Sequence, residues 1–194
     1  MDSICVFCGS SSGNDPVYTQ KANELGKEFV KRNIGLVYGG GTVGLMGEIS
    51  NTINNGGGKV TGVIPSALCK REISGENIGE VIIVKDMHTR KALMAEKSQA
   101  FIAMPGGFGT FEELFEVITW AQLGIHKKPI GCLNVKGYYD PFVVMVDNAI
   151  NSGFISESMR DLVIVESEPV ALLDKIIAHK PPESKIVWEV PEIQ

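Results

Sequence analysis

The residues best suited to chemistry follow a short apolar segment near the middle of the chain. Residues 105–113 are Pro-Gly-Gly-Phe-Gly-Thr-Phe-Glu-Glu, directly after the apolar run 100–104. A glycine-rich turn between a strand and a helix presents backbone N–H groups, and the helix dipole adds partial positive charge, so it suits a phosphate. The spacing predicts Glu112 and Glu113 in the first turn of a helix from Thr110 to about Leu123. A phosphate cradle beside an acid indicates chemistry on a nucleotide or sugar phosphate.

Thr110 and Glu113 also admit a structural interpretation. The spacing Thr110-x-x-Glu113 matches a capping box. In that motif Thr110 is the N-cap, and the Glu113 side chain accepts a hydrogen bond from the backbone N–H of Thr110. The two interpretations are compatible, because a carboxylate near a helix start can also stabilise a developing cation or activate water. The sequence alone leaves both open.

A second group of charged residues follows another apolar run. Residues 86–91 are Asp-Met-His-Thr-Arg-Lys, and the pattern predicts a helix over 89–97. Arg90 and Lys91 then lie at a helix start, where the dipole disfavours positive charge. They need an anionic partner from a side chain or a ligand, with solvated surface charge as the alternative. His88 could act as an acid or base, but a solvated or packed loop histidine is the simpler interpretation.

An earlier turn, Gly39-x-Gly41-x-x-Gly44, matches the dinucleotide-binding pattern G-x-G-x-x-G. That pattern also needs an acidic residue about 20 positions later to bind the ribose hydroxyls. Residues 63–66 are Val-Ile-Pro-Ser, and the turn follows the second predicted strand instead of the first. A tight packing turn between strand and helix is therefore favoured over an NAD site. The sequence contains no G-x-x-x-x-G-K-[ST], which disfavours a P-loop enzyme.

Composition and cysteine placement narrow the classes of protein. The chain has 194 residues, of which 44% are hydrophobic and 22 are glycine, as suits one globular α/β protein. Its net charge of −5 and lack of a basic run argue against nucleic-acid binding. No signal peptide or long apolar stretch stands out, so we expect a cytoplasmic protein without a membrane segment. Cys5 and Cys8 form C-x-x-C inside an apolar strand, which favours buried thiols over a redox or metal site.

Apolar runs alternate with helical patterns along the chain. The predicted strands are 4–8, 35–38, 60–64, 81–84, 101–104, 130–135 and 162–165. The predicted helices are 16–32, 44–54, 89–97, 110–123, 141–152 and 169–178. This order predicts an α/β fold with a mostly parallel sheet covered on both faces, and the continuously apolar strands agree. Ligands in such sheets bind at the carboxyl ends of strands, so the loops after the first, second, fourth and fifth strands should converge.

Taken together, the motifs 86–91 and 105–113 resemble the LONELY GUY family of cytokinin riboside 5′-monophosphate phosphoribohydrolases. Some of its members carry the label lysine decarboxylase-like. The likeness extends to residues 8–11, 38–47 and 119–124, and covers the chain to about residue 180. It implies a Rossmann-like three-layer sandwich, with residues 1–180 as a single nucleotide-binding domain and 181–194 as an extended tail. It also implies a homodimer.

The resemblance implies an activity as well. Family members hydrolyse the N-glycosidic bond of an N6-modified adenosine 5′-monophosphate to a free cytokinin base and ribose 5-phosphate; no cofactor or metal is expected. Arg90 and Glu113 match the catalytic pair. The residues that match substrate-binding positions are Glu72, Lys91, Gly106, Gly107, Phe108, Gly109, Thr110, Phe111, Glu112 and Thr119.

Two alternatives are left. A nucleotide or cofactor carrier would use the glycine turns without catalysis. An amino-acid decarboxylase would need a pyridoxal cofactor on a Schiff-base lysine, and no residue here marks such a lysine.

Overall fold

Seven parallel strands form the centre of the protein, whose computed structural model describes residues 1–69 and 77–180. The strands are β1 (Ser3–Phe7), β2 (Gly35–Tyr38), β3 (Val60–Pro65), β4 (Glu80–Val84), β5 (Phe101–Ala103), β6 (Ile130–Leu133) and β7 (Val163–Glu166). Their order across the sheet is β4-β3-β2-β1-β5-β6-β7, and all six neighbouring pairs are parallel. The predicted α/β fold with a parallel sheet is confirmed.

Six α-helices of the described residues cover the two faces of this sheet. They are α1 (Pro16–Lys31), α2 (Gly44–Asn55), α3 (Met87–Glu96), α4 (Phe108–Gln122), α5 (Asp140–Asn151) and α6 (Pro169–Ala178). Short 3₁₀ segments occupy Ser66–Leu68, Val135–Gly137 and Glu157–Leu162. One buried apolar cluster joins the sheet to α1, α2 and α6, and a second joins it to α3, α4 and Tyr139 before α5. The result is the predicted Rossmann-like three-layer sandwich.

Strand β1 shows why the strands are apolar without alternation. Ile4 and Val6 pack into one cluster, whereas Cys5 and Phe7 pack into the other. Successive side chains of a strand point to opposite faces, and here a layer of helices covers each face. Cys8, just beyond the strand, lies in the same cluster as Ile4, so the two thiols of the C-x-x-C are buried on opposite faces and are not bonded.

The carboxyl ends of β1 and β5 form the switch point of the sheet. The chain proceeds outward from β1 through β2 and β3 to β4 on one side, and from β5 through β6 to β7 on the other. The loops that leave β1 and β5 therefore diverge and open a crevice, the usual ligand site in this architecture. A hydrogen bond of 3.1 Å from the Gly9 N–H to the Pro105 carbonyl joins the two loops at its base.

Candidate active site

A cavity of about 250 Å³ opens at this switch point. It is lined by the end of β1 with its loop, by the turn after β2, by α3 and by the start of α4. The lining residues are Val6, Phe7, Cys8, Gly9, Ser10, Gly39, Met46, Met87, Arg90, Gly107, Phe108, Gly109, Thr110, Glu112 and Glu113. The predicted convergence of the loops after the first, second, fourth and fifth strands is confirmed.

Helix α4 begins at Phe108, two residues earlier than predicted. Gly107 is its N-cap, and no side chain caps the helix. The capping-box interpretation is therefore wrong, as is the predicted first-turn position of Glu112 and Glu113. Thr110 is the third residue of the helix, and the two glutamates lie in its second turn, beyond the strongest part of the dipole. The physical reason is that Gly107 can take the N-cap place without a side chain, so the helix starts inside the glycine turn.

This helix start presents backbone donors to the cavity. The first intrahelical bond runs from the Phe111 N–H to the Gly107 carbonyl, at 3.1 Å. The N–H groups of residues 107–110 consequently have no partner within the helix. Gly107, Phe108 and Gly109 are exposed, and a Cβ atom at Gly107 or Gly109 would meet no atom of the other described residues within 4 Å. The turn thus has the donors and the open approach that an anion needs.

Arg90 and Glu113 meet in the wall of the same cavity. Arg90 Nη2 lies 3.5 Å from Glu113 Oε1, and the two side chains are only 8% and 10% exposed. Burial, together with the negative charge of Glu113, raises the pKa of the neighbouring Cys8 thiol, which is therefore neutral at physiological pH. The anionic partner that the sequence requires for Arg90 is thus a side chain from a different strand-helix unit.

Gly39, at the end of β2, makes room for this pair. A Cβ atom at position 39 would collide with Arg90 Nη2. The guanidinium therefore lies directly on the glycine, and its Nη1 is 3.8 Å from Met87 Sδ. Among the described residues, the buried Nε of Arg90 has no hydrogen-bond acceptor.

Lys91 has carboxylate partners as well. Its Nζ lies 2.5 Å from Glu112 Oε1 and 2.9 Å from Glu116 Oε1. Burial opposes the charge of Lys91, but hydrogen bonds and attraction from the two carboxylates outweigh it, so the pKa of Lys91 is raised. Lys91 does not line the cavity; it neutralises Glu112 at the rim. His88 is exposed and does not line the cavity.

The Asp86 side chain explains why both cations lie where they do. Its Oδ1 accepts a hydrogen bond of 2.7 Å from the Thr89 N–H, so Asp86 is the N-cap of α3. The helix therefore begins at Met87, two residues earlier than predicted. Arg90 and Lys91 lie in its second turn, where the dipole opposes them less.

Not all residues predicted for the site line this cavity. Gly106 and Phe111 lie behind the turn, where Phe111 stacks on Tyr138. Thr119 is exposed and lines a separate apolar groove of about 450 Å³. It lies about 15 Å along the helix axis from Gly109, at 1.5 Å per residue. Glu72 lies outside the described residues.

The structure adds site residues that the sequence analysis did not single out. Ser10, Met46 and Met87 line the cavity, and Tyr138 donates a hydrogen bond to the Gly106 carbonyl. A signal was present for two of them, because Ser10 and Tyr138 follow strands at the carboxyl edge of the sheet. Across residues 1–69 and 77–180, no group of three His, Cys, Asp or Glu side chains could hold a metal ion. No helix in the same residues is long and apolar enough to cross a bilayer.

Known proteins resemble this chain over nearly its whole length. It is 55% identical to the probable cytokinin riboside 5′-monophosphate phosphoribohydrolase LOGL2 of Oryza sativa subsp. japonica, over 98% of this chain and 80% of that protein. It is 54% identical to the cytokinin riboside 5′-monophosphate phosphoribohydrolase LOG1 of Arabidopsis thaliana, over 98% of this chain and 91% of that protein. The chain belongs to the LONELY GUY family. The model of the family described as "Possible lysine decarboxylase" matches residues 46–176, in agreement with the older label.

More distant solved structures share the LONELY GUY fold seen here. The molybdenum cofactor binding protein of Rippkaea orientalis superposes with a TM-score of 0.67 at 22% identity, over 91% of this chain and 97% of that protein. The molybdenum cofactor carrier protein of Chlamydomonas reinhardtii gives the same score and identity, over 92% and 99%. At this identity the likeness concerns the architecture alone.

Proposed function

We propose that this protein is a phosphoribohydrolase that cleaves the N-glycosidic bond of N6-modified adenosine 5′-monophosphates, releasing a cytokinin base and ribose 5-phosphate. The observation that carries the proposal is the buried Arg90–Glu113 pair beside an open helix N-terminus, in one cavity at the switch point. The names of the relatives that are 55% and 54% identical support the reaction and the substrate class.

The open turn is the proposed binding site for the 5′-phosphate. The N–H groups of residues 107–110 and the Thr110 hydroxyl would donate to phosphate oxygens, and the dipole of α4 would favour their charge. Gly107 and Gly109 keep side chains away from the ligand, while Gly106 packs against Thr110 and Phe111 packs behind the turn. Phosphate binding then anchors the substrate so that the ribose carbon faces Glu113.

Glu113 and Arg90 are the proposed catalytic residues. Breaking the bond between C1′ and the base nitrogen leaves positive charge on the ribose, as in glycoside hydrolysis. The Glu113 carboxylate would stabilise this charge and accept a proton from the attacking water. The water oxygen bonds to C1′ as the bond to the base breaks. The proton that Glu113 accepts from the water is released to solvent and balances the proton that the departing base nitrogen takes up. Arg90 would orient Glu113 by a charge-assisted hydrogen bond.

The rim of the cavity offers apolar contacts for the base. Phe108 is 92% exposed and Met87 39% exposed, and both line the cavity. An aromatic ring and a thioether are suited to contact a purine face. Glu112, held by Lys91, and Glu72 complete the proposed substrate contacts.

A homodimer is the proposed assembly. Two exposed large apolar side chains, Phe115 and Val143, line the Thr119 groove. Exposed apolar patches of this kind mark interfaces, and a second copy would bring Thr119 into a buried setting. Phe115→Glu should convert a dimer to a monomer in light scattering; a monomeric unmodified protein would contradict this assembly.

The reaction is tested by offering four compounds to the full chain: isopentenyladenosine 5′-monophosphate, AMP, the unphosphorylated riboside and lysine. We expect free base from the monophosphates, and at least ~100-fold lower kcat/KM for the riboside, because it lacks the anchoring group. Tight nucleotide binding without base release would instead indicate a carrier, and CO₂ from lysine a decarboxylase.

The catalytic assignment is tested with Glu113→Gln. This change keeps the shape of the side chain and should lower kcat by about 10²–10⁴ without unfolding the protein. Glu28→Gln is the matched control, because Glu28 forms a comparable ion pair with Arg32 at 3.1 Å on α1, away from the cavity. Equal kcat in Glu113→Gln and the unmodified protein would contradict the role of Glu113.

Four earlier expectations remain predictions. They are the single nucleotide-binding domain over residues 1–180, the extended tail 181–194, the cytoplasmic location, and the lack of nucleic-acid and membrane partners. The tail lies outside the described residues.

A further inference from the structure

Tyr138 contacts the glycine-rich turn 106–109, the proposed phosphate site, from the side opposite the candidate active site. It follows the 3₁₀ segment after β6, and its Oη donates a hydrogen bond to the Gly106 carbonyl. It lines a second cavity of about 330 Å³, together with the loop 9–13 and Tyr18. Gly107 lines both cavities. The Gly106–Gly107 peptide is thus part of the wall between them.

The orientation of this peptide decides where one donor points. In a trans peptide the carbonyl and the following N–H point in opposite directions. Tyr138 holds the Gly106 carbonyl toward the second cavity, so the Gly107 N–H is directed away from Tyr138. Gly107 also lines the first cavity, together with Glu113. The preceding carbonyl, of Pro105, is held in the same manner by the Gly9 N–H at 3.1 Å.

The Tyr138 ring is itself fixed by its neighbours. It stacks on Phe111, with centroids 6.2 Å apart and an interplanar angle of 19°. Tyr18 and Tyr139 meet it edge-on, at 6.3 Å and 5.2 Å. Three aromatic contacts leave the hydroxyl little freedom, as a group that orients a binding site requires.

We infer that Tyr138 is a positioning residue for phosphate binding: through the Gly106 carbonyl it aims the Gly107 N–H at the 5′-phosphate of the substrate. The inference rests on the proposed function, since it presupposes a phosphate at the turn. Without the hydroxyl, the glycine-rich peptide is free to rotate, because neither Gly106 nor Gly107 has a side chain to hold it. Recognition of the phosphate should then weaken, whereas recognition of the base should not.

The test compares Tyr138→Phe with Tyr139→Phe. Phenylalanine keeps the stack on Phe111 and removes only the hydroxyl. Tyr139 is the matched control, because its Oη also donates to a backbone carbonyl, that of Met104 at 2.8 Å, but this bond is buried beneath the sheet edge. The dissociation constants of AMP and adenosine are measured by calorimetry, with urea midpoints alongside. Every protein, the unmodified reference included, also carries Glu113→Gln so that AMP is bound without being cleaved.

We expect Tyr138→Phe to raise the dissociation constant of AMP about 5- to 10-fold, because one hydrogen bond to the phosphate is misdirected. The dissociation constant of adenosine should not change. Tyr139→Phe should lower the urea midpoint and leave the ratio of the two constants unchanged. Equal AMP affinity in Tyr138→Phe and the unmodified protein would overturn the inference alone. An equal loss of affinity for AMP and for adenosine would also overturn it, because general damage to the pocket would then explain the result. Failure of the unmodified protein to bind AMP would overturn the proposed function as well.

Discussion

Residues 39–44 and residues 106–109 form two glycine-rich turns at the same edge of the sheet, one before α2 and the other before α4. In the first turn, other residues of the protein occupy the space that side chains at Gly39 and Gly44 would need. A Cβ atom at Gly44 would collide with the backbone of Ser10 and Ser11, and one at Gly39 with Arg90. In the second turn Gly106 is packed against Thr110, but Gly107 and Gly109 face open space among the described residues.

The difference separates two uses of glycine that look alike in a sequence. The turn 39–44 lets backbone segments and the buried Arg90 side chain approach closely, which is a packing function. The turn 106–109 leaves the space above its N–H groups open, which is what a ligand requires. The pattern G-x-G-x-x-G therefore occurs here at the turn that is closed by protein, and the less regular motif occurs at the open one.

Among changes at the two turns and their neighbours, the largest effect is expected from Gly44→Ala. Gly44 has φ of +60° in addition to its crowded Cβ position. Strain and collision together should lower the free energy of unfolding by about 3 kcal/mol or more, measured by urea denaturation. Gly57→Ala is the control: Gly57 has φ of +77°, but a Cβ atom there would meet no described atom within 4 Å. Its loss should be only about 1 kcal/mol. Equal losses would show that crowding at residue 44 does not matter.

Gly39→Ala should damage activity more than stability. The new methyl group displaces the end of the flexible Arg90 side chain, so the backbone need not move. We expect kcat/KM to fall about 10- to 100-fold, or 1.4 to 2.7 kcal/mol, with an almost unchanged urea midpoint. In a protein that already carries Arg90→Ala, adding Gly39→Ala should lower kcat/KM little further. Additive losses in the double variant would contradict an effect through Arg90.

Gly109→Ala, at the open turn, should increase stability while weakening the binding of the nucleotide. Residue 109 is the second residue of α4, and alanine is the better helix former by up to about 1 kcal/mol. The urea midpoint should therefore rise, while the methyl group at the phosphate site raises KM for the nucleotide about 3- to 10-fold. A stabilised variant with unchanged KM would show that the space above Gly109 is not used by the substrate.

Lys91→Met should give the smallest effect. In the structure Lys91 binds Glu112 and Glu116, so its loss leaves a carboxylate unneutralised at the rim of the cavity. We expect KM to rise about 2- to 5-fold, as for a partly exposed charge. Adding Glu112→Gln should bring KM most of the way back to the value of the unmodified protein. If the double variant stays impaired, Lys91 acts on the nucleotide directly, as the family resemblance implies.

The order of elements was predictable because its signals are local. Apolar runs and their helical neighbours indicated all seven strands and six α-helices of the described residues, and most boundaries agree within two residues. The start of α4 was placed too late because Thr110-x-x-Glu113 imitates a capping box, while the actual N-cap, Gly107, has no side chain to signal it. The start of α3 was placed too late because the cap formed by Asp86 was overlooked.

The sequence by itself determined the fold class and the meeting of four loops at one sheet edge, since these follow from periodicity and the rules for parallel sheets; its motifs also resemble those of the family to which the chain belongs. Only the tertiary structure decided which glycines are packed, how closely Arg90 and Glu113 approach and how deeply they are buried, and that Tyr138 holds the Gly106 carbonyl. The physical reason is that each of these depends on distances of a few ångströms between residues far apart in the chain. Spacing along the chain does not set such distances; the packing of separate strand-helix units does.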